Sequence, residues 1–256
     1  MARLACAGLV AALLTGGAAH AQAQVPTSRD FCADRPGKAT PACILDRGHL
    51  QLETGLADVS LQPGPDSYLV GQTELRFGVS PRTELEAAWT PFSHGDGRSG
   101  VGDLSFGFRT ALTAPDGKGA AVSWQAFVTA PTATHGQGAG GWEGGMRLPV
   151  SADLADGFSL GLTPEADVRR DTDGHGRHAA LSGAVALSHD LAGASVAVEL
   201  WGEHDADPAG HVNQASFDLS AAWMVGRDLQ LDAGANAGLT HATPDLELYV
   251  GVARRF

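Results

Sequence analysis

Charged side chains recur at every second position through much of this sequence, and that spacing limits the chemistry they can perform. Glu74 and Arg76, Glu84 and Glu86, and Glu165, Asp167 and Arg169 stand two residues apart, and Asp103 and Arg109 share a parity. Arg147, Asp218, Asp232, Glu247 and Arg255 extend the pattern to the C-terminus, with Glu53 and Glu199 on the same parity of their own segments. In an extended chain, residues i and i+2 project to the same side. These carboxylates and guanidiniums would therefore line one face of a sheet. Around a wet axis such a face forms a constriction that sorts solutes by charge and size. Packed against each other, the same groups would pair and fill the space instead. Both arrangements are open at this point.

Other chemistry is poorly supported. His94, His135, His175, His204, His211 and His241 fall in or beside polar loops, but no HxH or HxxxH spacing makes them a metal set, and none is expected. Asp171-Thr172-Asp173-Gly174 begins like a calcium loop but lacks the later ligands and the distal Glu, so it reads as a solvated turn. Ser182 and His178 share a parity, as an outer-membrane acyl hydrolase would need, but without Gly-x-Ser-x-Gly around the serine. Gly138-Ala139-Gly140-Gly141 has no strand-to-helix setting for binding phosphate. The expectation is a non-enzyme with no cofactor.

The elements that would carry the charged face are β-strands. In Thr73, Leu75, Phe77 and Val79 against Gln72, Glu74, Arg76 and Gly78, apolar and polar residues alternate strictly. Leu104, Phe106 and Phe108 oppose Asp103, Ser105, Gly107 and Arg109 in the same way. Twelve such segments are expected at 49–60, 68–79, 83–92, 101–112, 120–131, 142–152, 158–169, 178–189, 195–204, 213–224, 229–240 and 246–256. Those at 142–152 and 178–189 alternate poorly. Each has about the length a tilted strand needs to cross a bilayer. The connections are rich in Gly, Asp, Pro and Ser, and they differ in length: tight at 80–82, 153–157, 190–194 and 225–228, longer and more polar at 93–100, 132–141, 171–177 and 205–212.

A β-sandwich or lipocalin-like barrel would alternate too, with the apolar face turned inward. Against this, the polar parity is dense in charge and glycine, and the only lysines are Lys38 and Lys118. Twelve strands with a water-facing outer surface would carry more. The last segment, Leu246 to Phe256, is amphipathic and ends on an aromatic, as the assembly signal of an outer-membrane barrel does; Phe256 would lie at the interfacial girdle. The fold expected is an all-β, antiparallel up-and-down transmembrane barrel of about twelve strands, residues 49–256, preceded by an irregular extension.

At the other end, Arg3, the apolar Leu4–Leu14 and the small residues near 19–23 have the form of a secretory signal peptide, residues 1–23. No later run is long and apolar enough for a membrane helix. Residues 24–48 carry three prolines and two cysteines, Cys32 and Cys43, expected to pair in an oxidising compartment. This stretch would hang in the periplasm or plug the barrel. With 17 basic and 29 acidic residues, the chain would not seek nucleic acid by charge. Its expected partners are outer-membrane lipid and lipopolysaccharide, the barrel assembly machinery and a small-molecule permeant.

Phe31-Cys32-Ala33-Asp34-Arg35-Pro36-Gly37, Pro41-Ala42-Cys43, Gly48-His49-Leu50-Gln51-Leu52-Glu53, Leu75 to Leu85 and Gly100-Val101-Gly102-Asp103-Leu104 carry a further signal. The chain from about Asp30 to Phe256 resembles the outer-membrane transporters associated with the phenol meta-cleavage degradation pathway. That resemblance implies an outer-membrane barrel in a Gram-negative bacterium, passing small, hydrophobic or aromatic compounds, with no catalytic residue to carry over. A non-conducting structural barrel is the alternative, the acyl hydrolase a more remote one.

Overall fold

The computed structural model describes residues 28–256. The expected signal peptide and the first residues of the extension lie outside the described residues. From Leu50 onward the chain forms one closed antiparallel barrel of twelve strands. They are β1 (Leu50–Leu61), β2 (Ser67–Val70 and Gln72–Ser80), β3 (Thr83–Trp89 and Phe92–Gly95), β4 (Arg98–Gly100 and Leu104–Ala111) and β5 (Ala120–Ala130). Then follow β6 (Glu143–Arg147 and Val150–Asp153), β7 (Phe158–Arg170), β8 (Arg177–Leu191), β9 (Ala194–Asp205), β10 (Val212–Met224), β11 (Leu229–Gly238) and β12 (Leu246–Arg255). Each pairs with the next, and β12 returns to β1 with Gln51 opposite Arg255 and Leu61 opposite Leu246. No sheet edge is left open across the bilayer, where an unpaired backbone group is costly. No described helix is long and apolar enough to cross a membrane.

The twelve expected segments coincide with these strands to within three residues at either end. The two that alternate poorly have particular forms. β6 breaks at Leu148-Pro149 because proline lacks a donor. The Leu148 N–H donates to the Pro164 carbonyl (3.0 Å), and the Pro149 carbonyl accepts from the Ser123 N–H (2.9 Å), so the wall stays bonded across the break. β8 is the longest strand, 15 residues, and carries small side chains on much of both faces.

The apolar parity faces out. Phe106 and Leu200 are 50% and 57% exposed, whereas Arg76 and Arg109 are 0% exposed. Such a surface suits hydrocarbon, and the charged one faces the barrel axis. Exposed Tyr68, Trp89, Phe92 and Trp142 lie near the long-loop end, and Phe158, Trp223 and Phe256 near the short-turn end, forming two girdles. Arg254, an outward charge in the last strand, extends over the Phe256 ring (5.1 Å) at the rim, where its head can reach water. Both ends of the described chain lie on the short-turn side, which is the periplasmic side of such barrels.

Residues 28–49 form no strand or helix. They double back as a loop whose limbs are joined by the Cys32–Cys43 disulfide. The loop lies against the inward face, bonding to β1, β2, β4, β6, β7, β9, β10 and β11.

Candidate functional site

The lumen is built jointly by the wall and this loop. Its densest part is a knot of charge on β1–β4. Arg76 reaches Glu53 (3.0 Å), Glu84 (2.8 Å) and Asp34 of the loop (3.2 Å). Arg109 meets Glu86 (2.9 Å), and its Nη1 donates to Asp34 (2.9 Å), with its Nη2 on the other carboxylate oxygen. The two guanidiniums therefore hold carboxylates from two strands, β1 and β3, and from the loop. Alternation places Arg76, Glu84 and Arg109 in register: Arg76 is opposite Glu86 on β3, and Glu84 opposite Arg109 on β4.

Wall side chains also satisfy the loop's backbone. An irregular segment inside a barrel must find partners for its own amides. The Asp34 and Arg35 N–H groups donate to Glu53 (2.9 and 3.0 Å), and the Leu45 N–H to Glu84 (2.8 Å). Gln51 and Arg76 donate to the Cys32 carbonyl (2.7 and 3.0 Å). Across the lumen, Arg35 pairs with Asp232 (2.9 Å) and Lys38 with Asp218 (3.0 Å). The Arg35 guanidinium lies against Gly55 and Gly251, where any side chain would displace it.

Two cavities flank the loop. The outer, about 550 Å³, is lined by Glu53, Glu74, Glu86, Arg147, Glu165 and Arg169, among others. The inner, about 700 Å³, opens toward the short turns; its strand wall is mostly alanine, serine and glycine, with Asp116, Lys118, Asp153 and Asp190 at the turns. Asp34, Arg35, Gly37 and Thr40 line both, so this stretch is the partition between them.

The residues singled out by parity fall into three groups. Glu74, Glu86, Arg147, Glu165 and Arg169 line the outer cavity; Arg147 pairs with Glu165 (2.6 Å) and Arg169 with Glu203 (2.6 Å) and Asp167 (3.0 Å). Arg76, Glu84, Arg109, Asp218 and Asp232 are buried against the loop, while Glu247 accepts from Asn236 (2.7 Å). Asp103 and Arg255 stand at the rims. Asp103 accepts the Ala133 and Ala139 N–H groups (2.8 and 2.9 Å), shaping the 131–142 loop. Arg255 bridges Asp228 (2.7 Å) and the Arg29 carbonyl (2.8 Å).

Sequence reasoning missed the loop's own contribution, Asp34, Arg35 and Lys38, and the wall hydroxyls of Thr163 and Ser151 that accept from the Thr40 and Ala42 N–H groups. The available signal was charge complementarity, a segment carrying Arg29, Arg35 and Lys38 beside a barrel wall dominated by carboxylates. Asp34, Glu74 and Glu86 are the one carboxylate set among the described residues compact enough to suggest a cation, and no histidine joins it. Arg76 and Arg109 already pair with Asp34, and Arg109 with Glu86. His178 lies between Asp171 and Asp205 (both 2.9 Å), and Asp173 caps the His175 N–H (2.8 Å), so the D-x-D-G fragment is a braced turn.

A closed twelve-stranded barrel with an apolar outer face, aromatic girdles and a charged lumen is an outer-membrane β-barrel. The family described as "Putative MetA-pathway of phenol degradation" matches residues 33–256, and the chain belongs to it. An outer-membrane channel from Pseudomonas putida F1 has a similar fold, with a TM-score of 0.63 at 18% identity, covering 87% of this chain and 99% of that one. The NanC porin is also similar, with a TM-score of 0.54 at 11% identity, covering 80% of this chain and 98% of the porin. No curated protein matches the sequence significantly.

Proposed function

We propose that the protein is an outer-membrane channel for small polar solutes, selective for cations over anions, with residues 28–48 as its internal constriction. One observation carries this: the apolar side chains face lipid, while the lumen is polar and its carboxylates outnumber its guanidiniums. A cation approaching the outer cavity would meet Glu74, and Glu165 and Glu203 with their partners Arg147 and Arg169, before the partition. A ring of carboxylates favours cations in a water-filled passage. The family description and the resemblance of the sequence point to aromatic permeants. Among the described residues, no apolar track along the axis supports a purely hydrophobic one, so an aromatic solute would have to carry a polar or cationic group.

A non-enzyme fits the same geometry. Ser182 faces the outer cavity, and both ring nitrogens of His178 are turned to carboxylates rather than to the serine. Lipid and lipopolysaccharide would solvate the outer belt, and the barrel assembly machinery would read the strand ending in Phe256.

Proteoliposome swelling tests the reading. Small amines and zwitterionic amino acids should enter faster than neutral sugars of the same size, and gluconate slowest. Gluconate entering as fast as the amines would overturn the cation preference.

A further inference from the structure

We propose that Gly37–Thr40 is the moving gate of the channel and that Glu199 is the latch holding it closed; this rests on the channel reading above. The loop is attached unequally. Its base is fixed: the disulfide joins its limbs, and Asp34 sits in the ion knot with Arg76 and Arg109, both 0% exposed. Its tip is held by fewer and more separable bonds. The Lys38 N–H donates to Glu199 Oε1 (2.8 Å) and the Ala39 N–H to Oε2 (2.7 Å), so one carboxylate cradles two successive amides. Thr40 and Thr163 bond reciprocally, the Thr40 N–H to Thr163 Oγ1 (2.9 Å) and that hydroxyl to the Thr40 carbonyl (3.1 Å). Lys38 Nζ reaches Ser216 (3.2 Å) and Asp218 (3.0 Å).

Two further features fit a part that moves. A Cβ on Gly37 would meet Glu199 Oε2 at 2.9 Å, so the latch carboxylate seats directly on a residue without a side chain. Behind the tip, the inner cavity is walled by Gly161, Ala186, Ser188, Ala197, Ser220 and Ala222, leaving room for displacement. Since Gly37 and Thr40 line both cavities, withdrawing the tip would join them into one passage.

Single-channel recording in planar bilayers tests this with two independent variants. Glu199→Ala removes both acceptors and should raise the open fraction at least about tenfold, since one lost hydrogen bond to a charged group already corresponds to that factor. Glu199→Gln, which keeps an acceptor oxygen, should raise it less. For the opposite change, a Cβ at position 161 would stand 3.6 Å from the Ala39 Cβ, within disulfide reach. Oxidised Ala39→Cys/Gly161→Cys should therefore stay shut and reopen with reductant, measured against wild type under the same reductant. If wild type conducts and the oxidised pair conducts equally, the gate is wrong and the channel reading survives. If wild type and Glu199→Ala are both silent, the channel reading falls and takes the latch with it.

Discussion

Arg76 and Arg109 each bond to the loop and to carboxylates of neighbouring strands, so the loop's anchorage and the wall's integrity depend on the same atoms. Removing one partner of a buried ion network leaves the others uncompensated, at a cost of about 3–5 kcal/mol. Arg109→Ala should therefore lower by several degrees the temperature at which the compact, fast-migrating form of the detergent-solubilised barrel is lost on gels. Arg109→Lys keeps the charge but not the two-pronged geometry and should fall between; equal behaviour of all three would mean the knot does not anchor the loop. Asp34 makes the same site sensitive to acid. Burial pushes its carboxyl up, but Arg109 and Arg76 outweigh burial and hold it at about 2, below its ordinary 3.8. Because the folded value is the lower one, this anchorage is complete above the ordinary value and is lost as pH falls toward 2. Trp201, 5.4 Å from Lys38 of the loop, reports the change. Its emission, isolated by subtracting a Trp201→Phe variant, should be flat from about pH 7 to 4 and shift below that; a shift complete by pH 5 would rule out Asp34 as the cause.

At the scale of elements, alternation makes the barrel legible. A period of two identifies a strand, and the scarcity of lysine argues that the charged face is not the outer one, so the sequence assigns Phe106 to lipid; Leu200 lies on the same outward surface. An arginine near the bilayer midplane of such a strand costs about 2–4 kcal/mol. Leu200→Arg should lose that much in urea unfolding from bilayers, and an unchanged midpoint would show that the site does not face hydrocarbon. Loss of the terminal aromatic is a separate matter: deleting Phe256 should reduce assembled barrel in outer-membrane fractions while leaving refolding in detergent intact. The loop was not legible, and the reason is physical. Residues 28–49 have no periodicity, and their partners are remote in the chain: Arg35 meets Asp232 across 197 positions. Parity could place the wall charges on one face, but whether they line water or bind a segment depends on those distant contacts. Asp103 and Arg255 show the same limit, since their depth, at the rims, comes from barrel geometry rather than from alternation.

For the whole molecule, an acidic chain with a net charge of −12 is turned so that much of its charge surrounds an axis and its apolar residues face out. The loop divides that axis into cavities of about 550 and 700 Å³, and its cations, Arg35 and Lys38, neutralise part of the wall at the partition. On the proposed reading, what crosses the barrel is set by the carboxylates of the outer cavity, where Glu165 and Glu203 are paired with Arg147 and Arg169 and Glu74 has no ion pair among the described residues. Glu74→Gln together with Glu165→Gln should reduce cation preference without altering heat-modifiability. The most direct test of the account is the reversal potential of the purified protein in a planar bilayer across a gradient of potassium chloride. A potential of the sign set by potassium moving down its gradient is predicted, and a potential of the opposite sign, with chloride carrying the current, would contradict it.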